Sequence, residues 1–278
     1  MNKTFDVSGP VNVDVQLSSG DIRLERSDND TAEVSLEAHD AEAQELIDSA
    51  RVELRGRDLI IDVPGKQRGF NLANFFGGRG IICRVRCADH SSLRARTKSA
   101  DIVVAIDLAE ADIATASGDA RLQNVDGDLA FKGASGDLRA GHVGGRASIN
   151  TASGDIELRD VGGSFHANTA SGDISVEAAH DDVKANTASG DVSVDVVTQG
   201  EIVVNSASGD VTVGVRRGSQ VYLDCSTVSG DARSDLGPTG SEPAGDGPLV
   251  HLKARTVSGD IQITRAVAPA GHPEEVQA

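Results

Sequence analysis

Tryptophan is absent from this chain, tyrosine and methionine occur once each, and aromatics make up 3% of its 278 residues. A core built around large rings is therefore excluded, and whatever is buried must be thin and aliphatic. Cysteine is scarce as well. Cys83, Cys87 and Cys225 cannot all pair, and Cys83-x-x-x-Cys87 lacks the second ligand pair of a zinc site, so they read as free thiols in a reducing compartment. Basic residues are outnumbered, 26 Lys and Arg against 43 Asp and Glu, for a net charge of −17. That balance speaks against a nucleic-acid phosphate surface and against docking on an anionic membrane. No run of about 18 apolar residues is present to span a bilayer, and Met1-Asn2-Lys3-Thr4-Phe5-Asp6 opens no signal-peptide core. The expected location is the cytoplasm.

What the chain has in excess is glycine, 31 residues, and a phrase that returns. Thr151-Ala152-Ser153-Gly154-Asp155 recurs so that its serines fall at Ser117, Ser135, Ser153, Ser171 and Ser189, 18 residues apart. Ser208, Ser229 and Ser258 follow at gaps of 19, 21 and 29, and Ser99-Ala100-Asp101 is a weaker copy one period before Ser117. Repetition at this period marks a solenoid, in which each rung buries its apolar face only against its neighbours. Each period carries a second turn signal at half its length, Asp126-Gly127-Asp128, Gly144-Gly145, Gly162-Gly163 and Asp181-Asp182. Between turns the apolar residues alternate, as in Phe165, Ala167, Thr169 and Ile174, Val176, Ala178, the pattern of a strand with one buried face.

The fold class read from this is all-β: a single parallel β-solenoid, or β-helix, with ~18-residue two-strand rungs, less regular N-terminal rungs and one short surface helix. Ile156 should then pair with Leu138 and Ile174. One inward column runs Ile149, Ala167, Ala185, Val204, Cys225, Ala254, and a second, beside the turn, runs Thr151, Thr169, Thr187, Ser206, Thr227, Thr256. Asn150, Asn168, Asn186 and Asn205 form an outward column able to hydrogen-bond along the stack. The alternation turns the Thr hydroxyls inward as a polar seam, which argues against an ice-binding face.

Along the chain, residues 1–93 read as irregular β rungs, with a helix over 40–50 begun by Asp40 and a hairpin turn at Gly56-Arg57. Residues 66–80 break the pattern with an apolar loop, whose Phe70, Leu72, Phe75 and Phe76 are candidates for binding a protein partner or a second copy, or for plugging one end of the solenoid. Regular repeats occupy 94–265. The polar loop 236–248 is expected to swing out of the stack before the rung closes again at Leu249, and 266–278 reads as a flexible tail.

Glycines Gly118, Gly136, Gly154, Gly172, Gly190, Gly209, Gly230 and Gly259 are assigned to the turns, on the expectation of a positive φ. The aspartates beside them, Asp119, Asp137, Asp155, Asp173, Asp191, Asp210, Asp231 and Asp260, make a column of carboxylates. At ~4.8 Å spacing neighbours repel by ~0.9 kcal/mol even at the dielectric of water, so something must offset the charge. Calcium at Asp119, Asp137, Asp155, Asp173 and Asp191 is one answer, although the denser glycine phrase of calcium-binding rolls is missing. Hydrogen bonds from backbone N–H groups of each aspartate's own turn are the other.

Catalytic signals are weak. The acids are spread as an even ladder rather than converging, and no phosphate-loop phrase opens a helix. The histidines, His39, His90, His142, His166, His180, His251 and His272, share no rung position and read as solvated surface residues. No cofactor is called for.

Repeated Thr-Ala-Ser-Gly-Asp with Val-Gly-Gly half-turns, Leu223-Asp224-Cys225-Ser226-Thr227-Val228-Ser229-Gly230-Asp231 and Arg255-Thr256-Val257-Ser258-Gly259-Asp260-Ile261 together resemble a bacterial β-strand repeat family. It is domain-of-unknown-function family 4097, whose members carry an adhesin label. The resemblance covers nearly the whole chain and brings no catalytic residues with it. It implies a non-catalytic binding or scaffold protein, with a carbohydrate-active β-helix enzyme and a self-assembling filament as the alternatives.

Overall fold

A computed structural model describes residues 1–27, 29–65, 80–236 and 247–266. Phe70, Leu72, Phe75 and Phe76, most of the loop 236–248 and the tail from 267 onward lie outside the described residues.

The first strands are β1 (Asn2–Asp6), β2 (Asn12–Arg26), β3 (Thr31–Ala38), β4 (Arg51–Arg55), β5 (Asp58–Val63), β6 (Ile81–Cys87) and β7 (Ser91–Ala114), with helix α1 (Ala41–Asp48) between β3 and β4. The repeats follow in pairs: β8 (Ala120–Val125) and β9 (Leu129–Lys132), β10 (Leu138–Val143) and β11 (Ala147–Asn150), β12 (Ile156–Val161) and β13 (Phe165–Ser171). Next come β14 (Ile174–Ala179) and β15 (Val183–Ser189), then β16 (Val192–Val197) and β17 (Gly200–Ser208). The last are β18 (Val211–Val215), β19 (Gln220–Ser229), β20 (Ala232–Ser234), β21 (Leu249–Ser258) and β22 (Ile261–Arg265).

Two parallel ladders grow along the stack. One runs β9, β11, β13, β15, β17 and the other β8, β10, β12, β14, β16, β18, each strand pairing with its equivalent one rung away. Ile156 pairs with Leu138 and with Ile174, as the 18-residue repeat requires. β2 and β7 are long enough to join both ladders. Asn12 to Leu17 sit between β5 and the start of β7, while Gly20 to Leu24 sit between β6 and the next stretch of β7.

Core filling explains the columns. Phe131, Ile149, Ala167, Ala185 and Val204 stack in register and are fully buried. In two rungs a bulky member of one column has a small neighbour in the next: Ile149 goes with Ala147 and Phe165 with Ala167. Gly133 stands one period before Thr151 in the turn-side column, where a Cβ would lie 2.9 Å from the Phe131 ring. The other turn-side threonines do point inward, with Thr115, Thr169, Thr187 and Thr256 buried.

The N-terminal end, read as irregular rungs, is where the pairing turns antiparallel. β4 pairs antiparallel with β5 through the hairpin turn expected at Gly56-Arg57, while β3 pairs antiparallel with β6 and β1 with β3, neither of which was expected. Strand alternation carries no direction, so these strands read as rungs although they close the end of the stack. α1 sits against β3, started by the Asp40 carboxylate accepting the Ala43 N–H at 2.7 Å, and it adds Ala43 and Ile47 to the core. The Lys3 ammonium of β1 donates to the Val52 carbonyl of β4 at 2.7 Å, tying the two outer strands together.

At the other end the order of rungs is not the order of the sequence. β17 pairs with β21 and β18 with β22, while β19 pairs with β21 and β20 with β22. The last strand pair in sequence is thus inserted before the preceding one, and the inward column corrects to Val204, Ala254, Cys225. The chain described up to Leu236 thus re-enters at Leu249 one rung back along the stack.

Candidate functional site

The turn column is built for structure. The carboxylate Oδ1 of Asp101 accepts the backbone N–H of Asp119, Asp119 that of Asp137, and so on through Asp137, Asp155, Asp173, Asp191 and Asp210 to Asp260 and finally Asp231, at 2.7 to 3.1 Å. The donor belongs to the next rung, not to the aspartate's own turn as expected. Each bond is charge-assisted and crosses between rungs, so the repulsion along the column is met by the amides it stacks on. Arg121 and Arg233 approach the outer oxygens of Asp119 and Asp231 at 3.3 and 2.7 Å. Among the described residues no group of three or more His, Cys, Asp or Glu is disposed to hold a metal.

The glycines are required for close approach, and Gly172, Gly190, Gly209, Gly230 and Gly259 also hold the positive φ expected of them, +147° to +156°. A Cβ on Gly154 would lie 2.2 Å from the carbonyl oxygen of Gly136, and one on Gly172 2.2 Å from that of Gly154, so the backbones stack too closely for any side chain. Gly154 itself is not held in the left-handed region.

Histidine does cluster once. His142 Nδ1 meets Asp160 Oδ1 at 2.7 Å and His180 Nε2 meets Asp160 Oδ2 at 2.9 Å, all three partly exposed. His142 and Asp160 stand one period apart, a spacing that was legible in the sequence. Near the N-terminal end a groove of about 400 Å³ is lined by Asn12, Asp14, Asp58, Arg94, Glu110 and Asp112. Its Asp112 carboxyl is held below the ordinary range by the Arg96 guanidinium, which donates to it at 2.6 Å, with Arg94 adding to the effect. The buried Cys83 thiol is pushed up to about 12 by desolvation, and burial raises Cys87 and Cys225 as well.

The terminal rung is where the regular pattern fails. Val250, Leu252 and Ala254 of β21 are buried, whereas their neighbours in β19, Val221, Leu223 and Cys225, are half-buried or exposed. Leu252 is 1% exposed and Leu223 40%. Tyr222, exposed by 58%, stacks its ring on His251 at 5.0 Å. Val228, Leu249 and Val257 are exposed beside it, which leaves only Met1 and Val103 as exposed large apolar residues elsewhere among the described residues. β19 hydrogen-bonds only to β21 and β20 only to β22 among the described strands. Among the described residues no rung covers the outer side of either strand. Sequence reasoning placed this rung inside the stack and so missed it. The signal was Ala232-Arg233-Ser234, which lacks the bulky inward pair of Ile174 and Val176, Val211 and Val213, or Ile261 and Ile263.

No helix among the described residues is long and apolar enough to cross a membrane. Known structures similar to the chain include a candidate adhesin from Bacteroides fragilis, 13% identical over 95% of this chain and 96% of that one with a TM-score of 0.49. A candidate adhesin from Parabacteroides distasonis is 16% identical over 94% and 96%, with a TM-score of 0.42. A candidate lipid-binding protein from the same species is 15% identical over 94% and 96%, with a TM-score of 0.43. No curated protein matches. The model of the family described as Toastrack DUF4097 matches residues 11–264, and the chain belongs to that family.

Proposed function

We propose that the chain is a non-catalytic binding or scaffold module, adhesin-like in kind, whose solenoid body presents one free strand edge to a protein partner. The observation that carries this is the terminal rung, where β19 and β20 are each bonded on one side and exposed apolar side chains gather. An unpaired edge of this type accepts another strand, main chain to main chain. Support for a non-catalytic role is chemical. The column aspartates are engaged by amides, and the groove acid Asp112 is kept ionised by arginine, leaving it no proton to donate to a leaving group. The cytoplasm remains the location we favour, on the strength of two buried, unpaired thiols four residues apart.

The test is retention of the purified chain on immobilised cell-surface polysaccharides and peptides, with mass spectrometry of the supernatant. Wild type is expected to be retained and Leu223→Lys to be lost, with no new small products. Released oligosaccharides would overturn the non-catalytic reading. Equal retention of Leu223→Lys would remove the edge from it.

A further inference from the structure

We infer that the occupant of the free rung is a second copy of this chain, joined end to end through β19 and β20 in a closed two-fold dimer. This rests on the reading of the terminal rung as a binding edge and names its partner.

The two ends of the solenoid are treated differently by the sequence. At the N-terminal end the outer strand β4, Arg51-Val52-Glu53-Leu54-Arg55, is 5 residues long with a charge at every second position, and Arg51 and Arg55 both pair with Glu53. β1 adds Lys3, whose ammonium occupies a carbonyl of β4. Short strands and edge charges are the means by which proteins prevent strand addition. β19 has neither protection. It is 10 residues long, and Asp224 is its only charge. Its inward positions, Val221, Leu223 and Cys225, prolong a core column that is otherwise sealed.

Three occupants compete for this edge. Within residues 1–278 a further rung would have to come from 237–246 or 267–278, whose sequences hold two prolines each and no sustained apolar alternation. Head-to-tail stacking needs a receptive edge at the other end, and the outer strands there, β4 and β1, are short and carry charge, which argues against the filament alternative. Another copy's terminal rung remains as the complement. A two-fold axis pairs β19 with its own copy antiparallel, so odd positions face odd positions and Val221, Leu223, Cys225 and Thr227 close one core over both molecules. Arg233 of β20 and Asp231 just before that strand carry opposite charges two residues apart, so an antiparallel arrangement offers each to its opposite in the second copy.

Sedimentation velocity of the full chain, from low micromolar to about 100 µM, decides the matter. The expected result is a dimer that Leu223→Lys weakens at least ~tenfold, while Glu53→Lys at the closed end leaves it unchanged. Thermal unfolding checks that both variants fold. Alkylation of Cys225 in wild type supplies a reading that needs no variant, since its rate should fall as the dimer fills. A monomer throughout, with Cys225 alkylated at a constant rate, would overturn the second copy while leaving the binding reading intact. A dimer that survives Leu223→Lys, or one abolished by Phe75→Ser with Phe76→Ser instead, would overturn it as well.

Discussion

Gly154 and Asp155 divide the work of the repeated turn, and the division predicts their relative costs. An alanine at Gly154 puts a methyl 2.2 Å from the Gly136 carbonyl oxygen, and since that oxygen belongs to the backbone, the stack itself must open. Gly154→Ala is expected to cost about 2–4 kcal/mol in urea unfolding. Asp155→Asn keeps an oxygen to accept the Asp173 N–H and is expected to cost only about 0.5–1.5 kcal/mol, whereas Asp155→Ala orphans that donor and costs about 1–3. An Asp155→Asn more damaging than Gly154→Ala would require the column to be read as an ion site.

The buried thiol of Cys83 makes a second prediction at this scale. Its value in the folded state is raised to about 12, above the ~8.5 of an exposed cysteine, so the folded chain holds the proton more tightly than the unfolded one. The resulting stability is complete below about pH 8.5 and is lost as the pH climbs toward the folded value, by up to about 1.4 kcal/mol per pH unit. Cys83→Val, which cannot ionise, should flatten the fall in urea midpoint between about pH 9 and 11. An unchanged alkaline slope would contradict this assignment.

At the scale of elements, the inward threonine column is uneven in a way that stability measurements can read. Thr115 Oγ1 accepts the Gly118 N–H at 2.8 Å and bonds to Thr97, while Thr151, Thr169 and Thr187 bury hydroxyl oxygens with no protein partner. Thr187→Val keeps the shape and removes an unmet polar atom, so it should stabilise by about 1 kcal/mol, whereas Thr115→Val should destabilise by about 1–3. Equal effects would show that the seam is uniform. Much of this element was legible in advance because a parallel stack converts sequence period into contact. The Asn ladder, bonded at 2.9 to 3.0 Å through Asn150, Asn168, Asn186 and Asn205, needed only the 18- and 19-residue spacings. α1 was legible from Asp40 and the helix formers after it. The hairpin of β4 on β5 was legible from Gly56-Arg57, but the direction of β1 and β3 was not, because alternation of buried and exposed residues is the same for a parallel and an antiparallel strand.

At the scale of the whole molecule, the repeat specified what a rung is but not which rung follows which. Every copy of Ser-Gly-Asp fits on every other, so once a polar segment allows the chain to double back, insertion of 249–265 inside 219–234 satisfies the same ladder. Inward bulk decides between the two orders. Ile261 and Ile263 are suited to a buried rung, while Ala232 and Ser234 tolerate exposure. The histidines around Asp160 and the free edge of β19 were overlooked for a common reason, since both arise between rungs and not within one.

Residue-resolved amide hydrogen exchange, carried out at a concentration too low for self-association, tests this order most directly. The structure predicts that amides of Val250 to Ser258 in β21, enclosed between β17 and β19, exchange as slowly as those of Ile202 to Ser208 in β17. Every second amide of Val221 to Ser229 in β19, pointing away from β21, should exchange orders of magnitude faster. Slow exchange throughout β19 together with fast exchange in β21 would place the last strands of the sequence at the end of the stack, contradicting both the rung order and the free edge built on it.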